Sequence, residues 1–363
     1  MNFRRYHYLF LALALTCTQP VFADQSDYKA LIDSPSEKTM GVELKKAVDI
    51  FTGNEVKQDV EKGLSMLEEL GKSGDSHAQF LLALIYRRGS CGVAVNRDKA
   101  LEWMIKAADN GFSEAQAILA SFYWTDAEHN DKQKAVELAR KAAESGNPKG
   151  QCLLGLVYMS GCPDKNPEKV IEKDGEKTVY WLEKSAEQGL PTACGLLAAI
   201  YYEGIPGVKR DFEKSVKYAK AGEKSDDAPS VSVLAKAYYT GSGVEKNTGK
   251  AIQYFKRAAL SESPTASSEA CYILALIYSN GEGVPVNNEE AFLWASKGHD
   301  KGSISATSVL GDLYAKGKGV KFNSEKAVEL WKAAALQGNT RAINSLALAY
   351  LKGLGVEKNP ERG

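Results

Sequence analysis

The sequence predicts an all-α protein, a solenoid stacked from helical hairpins, and three observations carry that prediction. First, the line Ala78-Gln-Phe-Leu-Leu-Ala-Leu-Ile-Tyr86 recurs in altered form, its tyrosine falling at Tyr86, Tyr123, Tyr158, Tyr201, Tyr238, Tyr278, Tyr314 and Tyr350. The steps between them are 37, 35, 43, 37, 40, 36 and 36 residues, a period at which one unit is too small to bury a core by itself. Second, apolar residues keep helical spacing in two successive stretches of each unit. Third, glycine pairs separate those stretches at the same place in one unit after another.

The unit from Ala306 to Arg341 shows how one hairpin is specified. Ala306, Leu310, Leu313 and Tyr314 share one stripe of a first helix, and Gly311 within it lets a neighbouring helix approach closely. Gly317-Lys-Gly319 stops that helix, because glycine reaches the left-handed conformation cheaply. Val320 anchors the turn, and Asn323-Ser324 can cap the next start. The second helix carries Ala327, Leu330, Trp331 and Ala334 on one face with charges opposite, and Gln337-Gly338-Asn339 breaks it. The same second-helix pattern appears at Ala100, Trp103 and Ala107, at Ala135, Leu138 and Ala142, and at Thr178, Trp181 and Ser185. It returns at Ala251, Tyr254 and Ala258 and at Ala291 and Trp294.

That pattern, joined to a Leu-Gly/Ala-x-x-Tyr-x-x-Gly-x-Gly-Val line, resembles the Sel1-like repeat family, relatives of the tetratricopeptide repeats, over residues 42–363. The resemblance implies a right-handed α/α superhelix of about eight and a half repeats. It speaks to fold far more than to function. The unit at 115–149 departs from the pattern, reading Trp124-Thr-Asp-Ala-Glu-His-Asn-Asp131 in place of the glycine turn. The next unit carries a charged insertion around Lys165–Gly175, which lengthens its step. Around Gly222–Pro229 and Ser261–Ser268 the inter-unit turns are rebuilt with Ser, Asp and Pro, and bends or loops are expected there. Val42–Ser76 matches poorly and is expected to cap one end, with Ala342–Lys352 capping the other.

The chain opens with Arg4-Arg5, a short apolar run from Tyr8 to Leu15, and Val21-Phe-Ala23, the pattern of a secretory signal peptide cut after Ala23. Residues 1–23 are thus expected to be removed and 24–41 to form a disordered segment before the solenoid at 42–363. Lipidation at Cys17 ranks second, because Thr16 before it disfavours that processing. The mature protein is expected in the periplasm, and no later stretch reads as a membrane span. Charges balance at 46 basic and 46 acidic residues with no basic run, which argues against a nucleic-acid partner.

Five cysteines would remain after cleavage: Cys91, Cys152, Cys162, Cys194 and Cys271. An odd count leaves at least one thiol unpaired in a monomer. Some Sel1-like proteins staple their repeats with regularly paired cysteines, and that regular pairing is missing here. Buried thiols explain most of the five, while a Cys152–Cys194 bridge stays open, subject to Cα atoms within about 7 Å.

Catalytic and metal-binding patterns are scarce. His77, His129 and His299 follow the leader, and none is paired at metal-ligand spacing. No nucleophile elbow, phosphate loop or dinucleotide fingerprint appears. Ser26-Asp-Tyr-Lys29 has the Ser-x-x-Lys spacing of penicillin-binding enzymes, but its place in the 24–41 segment makes chance the better explanation. The chain reads as a non-enzyme without metal or small-molecule cofactor.

In related helical repeats the first helices line the concave face. Counted from the tyrosine, positions −6, −2, +1 and +2 would then look into the groove. That geometry nominates Phe80, Arg87, Arg88, Trp124, Met159, Tyr202, Glu203, Tyr239, Tyr272, Asn280 and Lys316 as partner-binding residues. Large rings and arginine are common interface anchors. Tyr202 and Tyr239 divide evenly between that role and simple packing support, whereas Trp124, in a unit without its regular turn, has less packing to do.

The expected function is a non-catalytic periplasmic protein that grips one protein partner. By resemblance, the foremost role is an immunity protein that neutralises a secreted toxin such as a phospholipase D-type lipase effector of type VI secretion. The alternatives are a scaffold or regulator of envelope signalling or polysaccharide export, a host-protein-binding virulence factor and, last, a cell-wall or β-lactam hydrolase.

Overall fold

The computed structural model describes residues 41–54, 56–126, 129–163 and 170–362. The expected signal peptide, Cys17 and the Ser26–Lys29 tetrad lie outside these residues, as do the 24–41 segment save Gly41 and residues 164–169 of the charged insertion.

The described residues are almost wholly helical and fall into two units. Unit 1, ending at Leu190, holds α1 (Val42–Thr52), α2 (Val60–Lys72), α3 (Ser76–Arg88), α4 (Arg97–Asp109), α5 (Ser113–Thr125), α6 (Lys132–Glu144), α7 (Pro148–Ser160) and α8 (Gly175–Glu187). Unit 2, from Pro191, holds α9 (Pro191–Glu203), α10 (Phe212–Glu223), α11 (Ala228–Thr240), α12 (Thr248–Leu260), α13 (Pro264–Asn280), α14 (Asn288–Asp300), α15 (Ile304–Lys316), α16 (Ser324–Leu336) and α17 (Thr340–Lys352). Odd-numbered helices are the first members of hairpins and even-numbered ones the second. The architecture is an all-α helical-repeat solenoid.

One clasp closes each hairpin. A turn after the first helix ends in Asp or Asn, whose side chain caps the second helix by accepting the backbone N–H three residues on, as Asn96 does from Lys99 at 2.9 Å and Asp211 from Lys214 at 2.9 Å. The cap's own N–H donates back to the carbonyl of the repeat tyrosine. These bonds run from Asn96 to Tyr86 at 2.8 Å, Asp131 to Tyr123 at 3.1 Å, Asp211 to Tyr201 at 2.8 Å and Asn323 to Tyr314 at 3.0 Å. Asp59 makes the same bond to Ile50 at 2.9 Å, so α1 and α2 form a full hairpin whose tyrosine has become isoleucine. Asn359 closes on Tyr350 at 2.9 Å, giving α17 its turn as well.

The residue that donates to the cap is a lysine in most hairpins, and its ammonium folds over the tyrosine ring. The nitrogen stands 4.9 Å from the Tyr86 ring centroid for Lys99, 4.6 Å from Tyr123 for Lys134, 5.1 Å from Tyr201 for Lys214 and 5.2 Å from Tyr238 for Lys250. In α14 the position is Glu290, which takes the indole N–H of Trp294 at 2.8 Å instead.

Side chains predicted for the core of the 306–341 unit are there: Leu310, Leu313, Ala327, Leu330, Trp331 and Ala334 are all buried, each large one worth about 1.5–3 kcal/mol of burial. Gly311 is the close-approach point, since a Cβ there would stand 2.7 Å from the Trp331 ring. The stretch Ser261–Ser268 differs from expectation. Ser263 caps and Pro264 opens α13 a turn early, while Ser267 donates to the Ala259 carbonyl at 2.6 Å, so most of the expected loop is helix. At Gly222–Pro229 the turn is short, and Asp226 takes the left-handed conformation (φ 56°) that glycine holds at Gly302 and Gly338.

Candidate partner-binding surface

The clasp fixes where the nominated residues stand. Because the cap pins the tyrosine carbonyl, the side chains just after the tyrosine leave the last turn of each first helix at a set position. In unit 1 this position holds Arg87, Trp124 and Met159, at the ends of α3, α5 and α7, all half-buried. Arg88 follows Arg87, also half-buried, and Lys132 lies 5.6 Å from the Trp124 ring centroid.

Phe80 is placed elsewhere. It is only 2 % exposed, and its ring packs on Phe112 with centroids 4.7 Å apart. The column six residues before the tyrosine shares that fate at Ala117, Cys152 and Ser308, each 0 % exposed. The reason is that this position faces the start of the next first helix: a Cβ at Gly195 would stand 2.0 Å from the Asp227 carboxylate that caps α11.

In unit 2 the nominated tyrosines are engaged within the protein. The Tyr202 hydroxyl meets Thr240 Oγ1 at 3.3 Å, and its ring edge packs on Phe212 at 5.4 Å. Tyr239 donates to Glu282, which also accepts from Asn280 Nδ2 at 2.9 Å. Burial first, and then the carboxylate beside it, pushes the Tyr239 hydroxyl up to about 12. Each ring thus ties the end of one first helix to the end of the next. Tyr272 is half-buried against the unit 2 core, Glu203 is half-buried, and Lys316 is exposed at the end of α15.

Two polar features lie outside the nominated set. Asp312, two residues before Tyr314, accepts from Trp331 Nε1 at 3.0 Å, Arg341 Nε at 2.8 Å and Ser345 Oγ at 3.3 Å. An acid in a column that holds leucine at Leu84, Leu156, Leu276 and Leu348, and Ser121, Ala199 and Lys236 elsewhere, was the sequence signal for it. The Asp227 carboxyl, taking the Ser230 N–H at 2.9 Å and the Ser230 hydroxyl at 2.7 Å, is lifted to about 6 by burial, against the opposing pull of those two bonds.

Nucleophile chemistry finds little support in the geometry. An imidazole–hydroxyl contact joins His299 Nδ1 to Thr307 Oγ1 at 2.9 Å, but that hydroxyl already donates to the Ser303 carbonyl at 2.8 Å, so the imidazole must be the donor. Burial pushes the Cys91, Cys194 and Cys271 thiols up, away from the reactive thiolate. No disulfide joins any two of the described cysteines. Among the described residues no cluster of three His, Cys, Asp or Glu is placed to hold a metal, and no helix is long and apolar enough to cross a membrane.

A family model described as the Sel1 repeat matches residues 76–112, 113–147, 148–190, 191–225, 231–263, 268–303, 304–339 and 340–363. A Sel1 repeat protein from Oxalobacter formigenes superposes with a TM-score of 0.58 at 23 % identity, covering 93 % of each chain. A protective antigen present in uropathogenic Escherichia coli, displaying an SLR fold, gives 0.53 at 26 % identity over 93 % of this chain and 85 % of its own. An immunity protein from Pseudomonas aeruginosa overlaps at a TM-score of only 0.37 with 21 % identity, over 64 % of this chain and 84 % of its own.

Proposed function

The chain belongs to the Sel1 repeat family, whose repeats bind protein partners, and from that premise we propose that it is a non-catalytic, exported protein that neutralises a toxin by gripping it. The observation that carries the reading is the contrast between frame and surface. The clasp residues repeat from hairpin to hairpin, whereas the position after the tyrosine changes from arginine to tryptophan to methionine to tyrosine. A varied surface on a repeated frame serves recognition, and the varied residues in unit 1 are half-buried anchors rather than solvated charges.

In this reading the leader is removed after Ala23 and the mature chain meets its target in the periplasm. The target proposed is a secreted lipase of the phospholipase D type. N-terminal sequencing of the envelope fraction should begin at Asp24. A lipase captured by the mature chain should lose phospholipid hydrolysis at an equimolar ratio. Full turnover in the presence of excess chain would refute neutralisation. Capture of a non-enzymatic envelope protein would point instead to the scaffold or regulator role.

A second reading takes its support from the likeness to the protective antigen of uropathogenic Escherichia coli, at 26 % identity. A host-facing protein would be reached by antibody on intact cells. Protection of the chain from antibody until the outer membrane is opened would exclude it.

A further inference from the structure

Half-buried cations of this protein find a carboxylate or a ring face within it. Lys149 reaches Glu114, Lys236 meets Glu269 at 3.0 Å, Lys184 stands 4.6 Å from the Tyr180 ring centroid and Lys256 5.6 Å from that of Tyr278. Arg87 departs from this pattern. Its side chain is half-buried at the end of α3, yet no carboxylate or carbonyl among the described residues takes its guanidinium. Burial lowers its pKa, and the adjacent Arg88 lowers it further, as expected for a cation that has lost water and gained no counter-ion.

The negative end of the α3 dipole offsets part of that cost. The rest is recoverable only from outside the described chain. Along the same column stand Trp124 and Met159, so a segment lying across unit 1 meets a guanidinium, then an indole, then a thioether.

We propose that Arg87 is the receptor for a carboxylate on the partner protein, an aspartate or glutamate carried on a segment whose apolar residues cover Trp124 and Met159. The inference rests on the reading that the first-helix ends bind a protein, and it names the chemistry of that protein's contact. Guanidinium fits carboxylate through two parallel hydrogen bonds. A phosphate-rich nucleic acid is a poorer match, because the column supplies one arginine pair followed by apolar groups rather than a basic stripe.

The test uses the whole mature chain and fluorescein-labelled deca-glutamate at low salt, with deca-glutamine as the uncharged control, read by anisotropy. Deca-glutamate should bind, deca-glutamine should not, and Arg87→Ala should weaken binding at least fivefold while Lys316→Ala changes it less than twofold. Arg87→Lys should fall between the wild type and Arg87→Ala. Undetectable deca-glutamate binding, or equal losses for Arg87→Ala and Lys316→Ala, would overturn the proposal. A fold control separates binding from structure: Arg87→Met removes no hydrogen bond or ion pair among the described residues and should melt no earlier than the wild type, whereas an earlier melt would assign Arg87 to the fold and overturn the proposal. A captured partner that stays on Arg87→Ala overturns the carboxylate receptor alone, while capture of no partner by the unaltered chain defeats the binding reading itself.

Discussion

Seven residues before the repeat tyrosine, unit 1 places Gln79, Gln116 and Gln151, whereas unit 2 places Cys194, Val231, Cys271, Thr307 and Ile343. The glutamines are buried and donate to the last carbonyls of the preceding second helix, Gln79 to Gly71 at 2.7 Å and Gln116 to Ala108 at 3.0 Å. Unit 2 packs thiols there instead, against glycines: a Cβ at Gly222 would come within 3.3 Å of the Cys194 Cβ, and one at Gly298 within 3.2 Å of that of Cys271. At the opposite end of the hairpins the roles reverse. The second glycine of the last four unit 2 turns presses on the first residue of the previous second helix, Gly243 on Phe212, Gly283 on Thr248, Gly319 on Asn288 and Gly355 on Ser324. Gly92 in unit 1 presses on nothing within 4 Å among the described residues. Unit 1 is therefore stitched by hydrogen bonds where its first helices begin, and unit 2 by close backbone contact where they end. The contrast bears on function, because the end of α3 in unit 1 leaves Arg87 without an anion among the described residues, while the first-helix ends of unit 2 spend Tyr202 and Tyr239 on the next repeat.

Removing the glycine contact is the most damaging way to probe this contrast. Gly319→Ala would set a Cβ 2.0 Å from the Asn288 carbonyl oxygen at a backbone φ of 69°, and should cost about 3 kcal/mol, combining overpacking with left-handed strain. Gly92→Ala meets only the strain, at φ 82°, and should cost about 1 kcal/mol. Urea unfolding of the two variants measures the gap, and equal losses would erase the distinction between the units.

Asp227, the cap of α11, gives unit 2 a pH dependence that Asn147, the cap of α7, does not supply. Its folded carboxyl holds a proton up to about pH 6, while an unfolded one releases it near the usual value of about 3.9. Its contribution to stability is thus complete below about pH 4 and is lost as the pH rises through about 6. Asp227→Asn should keep the cap and add on the order of 2 kcal/mol at neutral pH, with the gain vanishing in acid. Denaturation at pH 4 and pH 7 checks it, and a gain equal at both would contradict the assignment.

A smaller effect tests the glutamine seam itself. Gln79 Oε1 accepts from Asn110 at 2.9 Å and Gln151 Oε1 from Gln188 at 2.8 Å, but Gln116 Oε1 is buried without a partner. The matching residue is Ser145, too short to reach, which bonds the Lys141 carbonyl at 2.8 Å. Its backbone (φ −72°, ψ 0°) is close to that of Asn110 (φ −81°, ψ 13°), so Ser145→Asn should satisfy Gln116 and add about 1 kcal/mol. A neutral or lower melting temperature would mean that the orphaned oxygen costs nothing. Least of all, Lys134→Met should lose about 0.5 kcal/mol with the ammonium over the Tyr123 ring, an effect that added salt should shrink.

Most of the frame was legible in the residues. Tyrosine spacing gave the period, Gly311 and Trp331 gave the close helix contact, and Asn323 gave the cap. The Asp/Asn-x-x-Lys clasp was equally visible, at Asn96–Lys99, Asp131–Lys134, Asp174–Lys177 and Asp211–Lys214, but its meaning needed the ring of the previous helix in place. The surface was harder to read, because a column position does not reveal what a side chain touches. Phe80 and Arg87 both sit on first helices, yet one is closed off by Phe112 from the following turn and the other meets no anion in the described chain. Contacts between repeats decide such cases, and sequence spacing encodes those only weakly.

Recognition of a protein through the first-helix ends of unit 1 is the proposal most directly open to test. Partner capture from secreted and envelope proteins should be compared for the unaltered mature chain, Arg87→Ala/Trp124→Ala/Met159→Ala, and Tyr202→Phe/Tyr239→Phe, each with unchanged helical circular dichroism. One protein should be held by the first and third forms and lost by the second. Retention by the second form, or loss by the third alone, would contradict it.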